Sequence, residues 1–449
     1  MSISLTKNAR VLLSQQLYNL LDVGANSYLP ASRQSYLYAV LGKQIAWNDG
    51  TEVVPAASET QNELYDVYRN GMFAKQLSYD NASLVTRRIN WTSGTVYNTY
   101  DDAVNLFVND EIDYYVLNSK DQVFKCLSNN HGATSDYEPQ LTLSSTSLEE
   151  PYLKTEDGYK WKYLYTLSAV QRQKFLDDDW MPVTYNKFVR AAAIPGSIDI
   201  VQITNTGNNY TNGSIQNIIS VDGDGTGAIL KANVADGHIV DIIIQDRGKN
   251  YSYVNLKIDD ITDGIGSAAT AEVVLSPSDG HGYDPVYELL AYNIMFNCDF
   301  EASEAGLFPT ENDYRQVFVI SNPKTYGTSS LLASKTSTLY TKIKVSPGVG
   351  IFNNDEIVYQ GTTYSTSNFT AAVVAFDEVK NELYVNNVRG VINNNGTIKG
   401  LGSGFIRVVN ATTPPTMQPY SGKVLYISDT LPVRRDPAQT ERIRFILSF

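Results

Sequence analysis

Asp157-Gly-Tyr-Lys-Trp-Lys-Tyr-Leu-Tyr-Thr-Leu-Ser168, followed by Lys174-Phe-Leu-Asp-Asp-Asp-Trp-Met-Pro-Val183, carries the densest pattern in the chain. Alternation over the first stretch predicts a strand. Tyr159, Trp161, Tyr163 and Tyr165 fall on one side, and Lys160, Lys162 and Leu164 on the other. A ladder of large rings is costly to leave in water and favours burial against another protein surface. Ser168-x-x-Gln171 is a capping box, so a short helix is predicted to follow the strand.

Upstream, residues 1–80 carry most of the helix signal. Leu5, Ala9, Leu12, Leu13, Leu17, Leu20 and Leu21 follow helical spacing, with Gly24 as the stop. Thr60-x-x-Glu63 opens a second helix through Leu64, Val67, Tyr68, Gly71 and Met72. Tyr36–Leu41 reads as a strand between the two. From 85 to 195 the short strands Val96–Tyr100, Asp113–Leu117 and Val123–Leu127 are predicted between Asn-, Asp- and Gly-rich turns.

An internal repeat fills 196–279. Ile198–Tyr210 aligns with Ile239–Tyr251 at an offset of 41, and the corner Gly207-x-Asn209-Tyr210 recurs as Gly248-x-Asn250-Tyr251. A Gly-rich turn recurs too, at 223–228 and 264–269. Two copies are too few for a solenoid or propeller. Pro195-Gly196 and Ser276-Pro277 read as the boundaries of an inserted β-module. Beyond it, Asp355–Val358, Ala371–Phe376, Glu382–Val385, Lys423–Ile427 and Arg442–Leu447 read as strands. The expected fold class is mainly β, α+β with few helices. It has a layered β-sandwich core (1–195 and 280–449), an N-terminal helical portion and a small inserted β-domain of two similar halves (196–279).

The 449 residues are enough for about two or three domains. With 31 tyrosines and only 18% charged residues, the composition suits surfaces that are meant to be covered. A net charge of −13 argues against nucleic-acid binding, which needs a basic stripe. Two distant cysteines, Cys126 and Cys298, exclude a disulfide scaffold and read as buried thiols. No leader opens the chain and no apolar run approaches the roughly 18 residues that span a bilayer, so synthesis in the cytosol without membrane insertion is expected.

Catalytic chemistry needs converging titratable groups. His131, His238 and His281 each sit in a Gly/Asn/Asp-rich turn, and no two stand at metal-ligand spacing. Asp222-Gly-Asp-Gly-Thr-Gly227 has a calcium-loop start, but Asn233 stands where the loop needs a bidentate Glu, so a hairpin turn is the better reading. The adjacent Asp177, Asp178 and Asp179 point in different directions and form no catalytic pair. No nucleophile elbow, P-loop or dinucleotide fingerprint is present. The reading is a non-enzyme without catalytic residue, cofactor or metal.

Five segments, in order, resemble one family. They are Arg87-Arg88-Ile-Asn-Trp91 through Asp102; Tyr114–Ser119 continuing through Val123–Gly132; Asp157–Val183; Gly280–Leu290; and Arg434-Arg435 through Gln439-Thr-Glu441-Arg-Ile443. The family is the baseplate wedge subunit of T-even-type contractile-tailed bacteriophages. The resemblance covers roughly 1–195 and 280–449. It implies a late structural protein, a homodimer that contacts other baseplate wedge proteins, assembled in the host cytoplasm and residing in the virion tail baseplate. The module at 196–279 departs from the short family members. An alternative reading is a tail-associated glycan-binding or glycan-cleaving protein, with weak glycan contact by that module. The interface candidates are Arg87, Arg88, Trp91, Tyr97, Tyr159, Trp161, Tyr163, Trp180, Arg434 and Arg435. The rings would act as anchors, and the arginine forks would lock loops or pair with a partner's carboxylates.

Overall fold

The computed structural model describes residues 5–21, 35–47, 53–58, 60–104, 114–210, 213–258, 267–301, 304, 309–310, 312–436 and 440–449. Strand outweighs helix by 44% to 13%, so the fold is mainly β, as the patterns predict. The chain forms two compact units, one of residues 1–15, 83–294 and 448–449, the other of 16–82 and 295–447. This division differs from the expected one, because the first unit holds both the 196–279 segment and the strands at 115–166.

In the first unit the ring-rich stretch is a strand, Lys160–Thr166, in an antiparallel sheet. It lies between Gln122–Ser128 and Leu153–Lys154, and Tyr115–Leu117 completes the order. Cys126 faces Trp161 and Phe124 faces Tyr163. The register slips between Phe124 and Val123, so that Val123 lies opposite Tyr165, and the pairing continues to Gln122 opposite Thr166. Tyr159 and Trp161 stack with centroids 5.4 Å apart, and Tyr97 meets Trp161 edge-on at 5.6 Å. These rings pack with Val116, Leu148 and Val189 into one buried cluster. The lysine side of the strand is covered as well, since Lys162 and Leu164 are both buried. The helix Ala169–Phe175 follows with the predicted capping box, Ser168 and Gln171 exchanging hydrogen bonds.

The 196–279 segment packs a core of its own around Ile198, Leu230, Ile239 and Leu275. Ile198–Asn205 pairs with Thr270–Leu275, and His238–Lys249, Thr226–Ala235, Gly213–Gly223 and Val254–Lys257 form a four-stranded sheet. The two repeat corners have the same backbone. Gly207 and Asn209 take φ of 61° and 63°, and Gly248 and Asn250 both take 61°. Each corner tyrosine caps the Gly-rich turn of the other half. Tyr210 Oη accepts from the Ala269 N–H at 2.6 Å, and Tyr251 Oη from the Ala228 N–H at 3.3 Å. The calcium-like loop is a turn here. Asp224 accepts from the backbone N–H groups of Ser252, at 2.8 Å, and Tyr253, at 3.3 Å.

The second unit has a five-stranded antiparallel sheet in the order Thr336–Thr338, Gly71–Leu77, Leu37–Gly42, Asp313–Ser321, Lys423–Arg434. Leu37–Gly42 is buried along its whole length, which suits an unbroken apolar run. The helix Gln61–Asn70 starts where Thr60 accepts from the Glu63 N–H, and the Glu63 carboxylate accepts from Ser58. Six strands between 341 and 413 close into a barrel around Ile343, Val358, Phe369, Leu383 and Val409. The layered reading did not include that closure.

Four local expectations change. The second helix stops at Asn70, and Gly71 and Met72, expected on its face, open the strand Gly71–Leu77. Val96–Tyr100 is not a strand, because its backbone pairs with scattered groups and not with one neighbouring strand: the Tyr97 N–H donates to Tyr159 Oη, Tyr97 O accepts from Asn129 Nδ2, and the Tyr100 N–H donates to Cys126 O. The helix Lys7–Leu20 buries Val11 and Ser14, whereas Leu12, Leu13 and Leu20 are exposed. The Asp113–Leu117 strand is Tyr115–Leu117, with Asp113 outside the described residues, as is Gly24.

A Cβ at Gly207 would meet Ala269 N and Ser267 O at 2.7 Å, and at Gly248 it would meet Ala228 N at 2.6 Å. Gly207→Ala and Gly248→Ala are each expected to cost about 2 kcal/mol or more, from the left-handed backbone and the backbone overlap together. Denaturant melts of the two variants measure this, and unchanged midpoints would contradict the shared corner geometry.

Candidate interaction surface

The ten residues singled out from the sequence divide into two groups. Tyr97, Tyr159, Trp161, Tyr163 and Arg435 are buried in the chain's own interior. They present no face to a partner, and the interface expectation is corrected for them. The physical reason is that the second face of the sheet is closed by other parts of the same chain, so the ladder completes a core. Arg435 donates to Glu301 O at 2.7 Å. Arg87 and Arg434 are exposed, and Arg88, Trp91 and Trp180 are half-buried. Arg88 locks a loop: its guanidinium donates to Asp177 O at 2.6 Å and to Asn90 Oδ1 at 2.9 Å. Trp91 Nε1 donates to Ser135 Oγ at 3.0 Å.

Behind the ring ladder the first unit buries charge. Lys125 and Lys162 lie opposite one another on neighbouring strands. Lys125 is fully buried, with Nζ 2.9 Å from Glu288 Oε2 and 3.1 Å from His281 Nδ1, over the Tyr100 ring at 3.6 Å. His281 Nε2 stands 3.3 Å from Asp199 Oδ2, without the alignment of a hydrogen bond. Asp199 in turn accepts from Arg247 and from Ser197 Oγ, both at 2.8 Å. The cluster therefore ties the repeat segment, through Asp199 and Arg247, to the Gln122–Ser128 strand and the Gly280–Leu290 loop.

Burial alone would raise the Glu288 carboxyl, but the Lys125 ammonium and the bond to His281 bring it down to about 2. Burial, with repulsion from Lys125, lowers His281 below its usual range and keeps the ring neutral. Lys162 is lowered to about 8, by burial first and then by Arg247, and donates to Glu150 O at 2.9 Å. A cleft of about 380 Å³ opens over the Lys125–Glu288 pair between Tyr100, Tyr114 and Asp102.

This buried chemistry holds an exposed surface in place. Gly282 takes φ +79°, and a Cβ there would meet Val189 Cγ1 at 2.4 Å, so only glycine lets the loop lie this close to the helix Lys187–Ala191. The Gly282 N–H donates to Glu288, His281 turns inward, and Tyr283 turns outward. Asn186 caps the helix by accepting from Phe188 N at 2.9 Å, and Val189 is its buried residue. Its other side chains face solvent. Arg190 Cζ lies 5.2 Å from the Tyr185 ring centroid and 4.5 Å from that of Tyr283, and Lys187 Nζ lies 4.9 Å from the Phe188 ring. Tyr185 is 56% exposed, Phe188 53% and Tyr283 39%, enough ring surface for a partner to cover. Among the described residues the Arg190 guanidinium and the Lys187 ammonium make no hydrogen bond or ion pair.

Sequence reasoning did not single out Tyr185, Lys187, Phe188, Arg190 or Tyr283. The available signal was Asn186-Lys-Phe-Val-Arg-Ala191, a capped turn with one core-facing position among large side chains. A second ring surface lies in the other unit. Tyr420, at φ +59°, meets Tyr65 at 5.8 Å and Tyr68 at 5.7 Å beside a groove of about 480 Å³. Among the described residues no group of three or more His, Cys, Asp or Glu is placed to hold a metal.

Compared with known proteins, the chain matches no family model and no curated protein.

Glu288→Ala is expected to cost about 3 kcal/mol or more, because it leaves the Lys125 charge buried without its partner. Both lowered pKa values place stability on the alkaline side. The His281 contribution is present above pH 6.5 and is lost as pH falls through the lower folded value. The Glu288 contribution is present above 4.5 and is lost toward about 2. Thermal melts from pH 8 to 3 should decline in two steps, the first absent in His281→Asn. A profile in which both proteins behave alike would contradict the buried neutral histidine.

Proposed function

We propose that the chain is a structural subunit of a bacteriophage contractile-tail baseplate, a wedge protein that joins neighbouring wedge proteins and pairs as a homodimer. One observation carries the binding role. The first unit buries the Lys125, His281, Glu288 and Asp199 cluster and exposes the Arg190 guanidinium over the faces of two tyrosine rings. Rings and Arg side chains at the surface are what interface hot spots are made of. The five ordered sequence segments supply the particular assembly. In this reading the ring ladder at 159–163 is the rigid floor on which the partner surface is mounted, and Arg87, Arg434 and Trp180 remain candidates at the surface.

The glycan alternative draws no support from the repeat segment's corner tyrosines. Tyr210 and Tyr251 are both buried against glycine turns.

A rigid part of an assembly keeps its core through any change in the assembly's shape. Purified tails should contain the chain, and antibody labelling should place it at the baseplate. Co-expression with the other wedge proteins should yield a stable complex. Tails that lack the chain, or a well-behaved monomer that ignores those proteins at micromolar concentration, would overturn the proposal.

A further inference from the structure

The exposed chemistry of the first unit has a sign. Arg190 and Lys187 lie over ring faces of Tyr185, Tyr283 and Phe188, and neither cation has a carboxylate among the described residues. Contact with two rings restrains the Arg190 side chain, so less rotamer freedom remains to be lost when an anion arrives. Among the described residues its N–H donors make no hydrogen bond, so they are open to a carboxylate, which an Arg fork can bind bidentately. The rings around it offer apolar area for whatever carries the carboxylate.

We infer that Tyr185, Lys187, Phe188, Arg190 and Tyr283 form a docking site for an acidic segment of another protein. One carboxylate of that segment sits in the plane of Arg190, a second faces Lys187, and an apolar side chain covers Phe188. Charge complementarity selects this occupant. The patch offers two unpaired cations in a chain of net charge −13, so a basic partner is repelled locally. The site is pre-formed, since the Gly282 approach to Val189 and the Glu288 bond to the Gly282 N–H hold Tyr283 beside Arg190. The inference rests on the reading of the chain as an assembly subunit and names the chemistry of one of its partners.

The test uses the full chain and fluorescein-labelled peptides in which Asp or Glu alternates with Leu or Tyr. Matched Asn/Gln peptides, a heparin oligosaccharide and a single-stranded oligonucleotide complete the set, read by anisotropy at low and high salt. The acidic peptides should bind, with an affinity that falls as salt rises, and the amide peptides should not. Arg190→Ala should weaken binding about tenfold or more. Arg190→Lys and Tyr283→Ala should weaken it by a smaller factor, and all three variants should melt like the wild type.

Equal binding of acidic and amide peptides, or no effect of any variant, overturns the site. So does heparin or oligonucleotide binding without peptide binding. Sedimentation that shows self-association abolished by Arg190→Ala assigns the patch to a second copy instead, and overturns the partner named here. Incorporation of the same variants into tails separates the two proposals. Normal incorporation of Arg190→Ala removes this docking site and leaves the structural role standing. Peptide binding at the patch by a chain that never enters tails removes the structural role and leaves the site.

Discussion

The first unit depends on one constraint: the strand Lys160–Thr166 is covered on both faces by its own chain. On one face the cover is aromatic and apolar, held by packing and by tyrosine hydroxyls such as Tyr159 Oη, which donates to Ala133 O. On the other it includes Lys125 and Lys162, and burying ammonium groups is costly unless an anion and hydrogen bonds accompany them. Glu288, Asp199 and the neutral His281 meet that need. They come from the 280–290 loop and from the repeat segment, so charge compensation fixes where those segments lie. The ion cluster sets position more than it adds stability, because a buried pair gains little net free energy over an apolar replacement of the same shape.

Position then becomes function. His281 and Tyr283 are two residues apart and turn opposite ways, one into the cluster and the other over Arg190. Gly282 between them has no side chain to hold the loop off Val189. A loop tied at its base in this way presents Tyr283 with little conformational freedom, which is the condition for a contact that binds without first being ordered. Under the proposed assembly role, the interior supplies rigidity and the residues one step outside it supply recognition.

Much of the fold was legible because short-range patterns decide it. The alternation at 159–165, the capping box at Ser168 and the repeated Gly-x-Asn-Tyr corner each depend on neighbours within a few residues. The surface proposed for a partner was not legible, because it depends on what covers what. A ring ladder reads the same whether its cover is another chain or another part of its own. Tyr97, Tyr159, Trp161 and Tyr163 were assigned outward for that reason and lie inward. Likewise, His281 in a Gly-rich turn gives no hint of Lys125, 156 positions away in the chain. The leucines of the Lys7–Leu20 helix show the opposite case, a helical pattern whose buried face is Val11 and Ser14.

Residues 157–166 are interior, and 185–190 with 280–284 form the surface proposed for a partner. Hydrogen–deuterium exchange of the chain, free and incorporated in its assembly, measures both at once. Strong protection of 160–166 is expected in the free chain, unchanged on assembly, with protection gained at 185–190 and 280–284. Protection gained at 157–166 on assembly, with none at the other two segments, would contradict it.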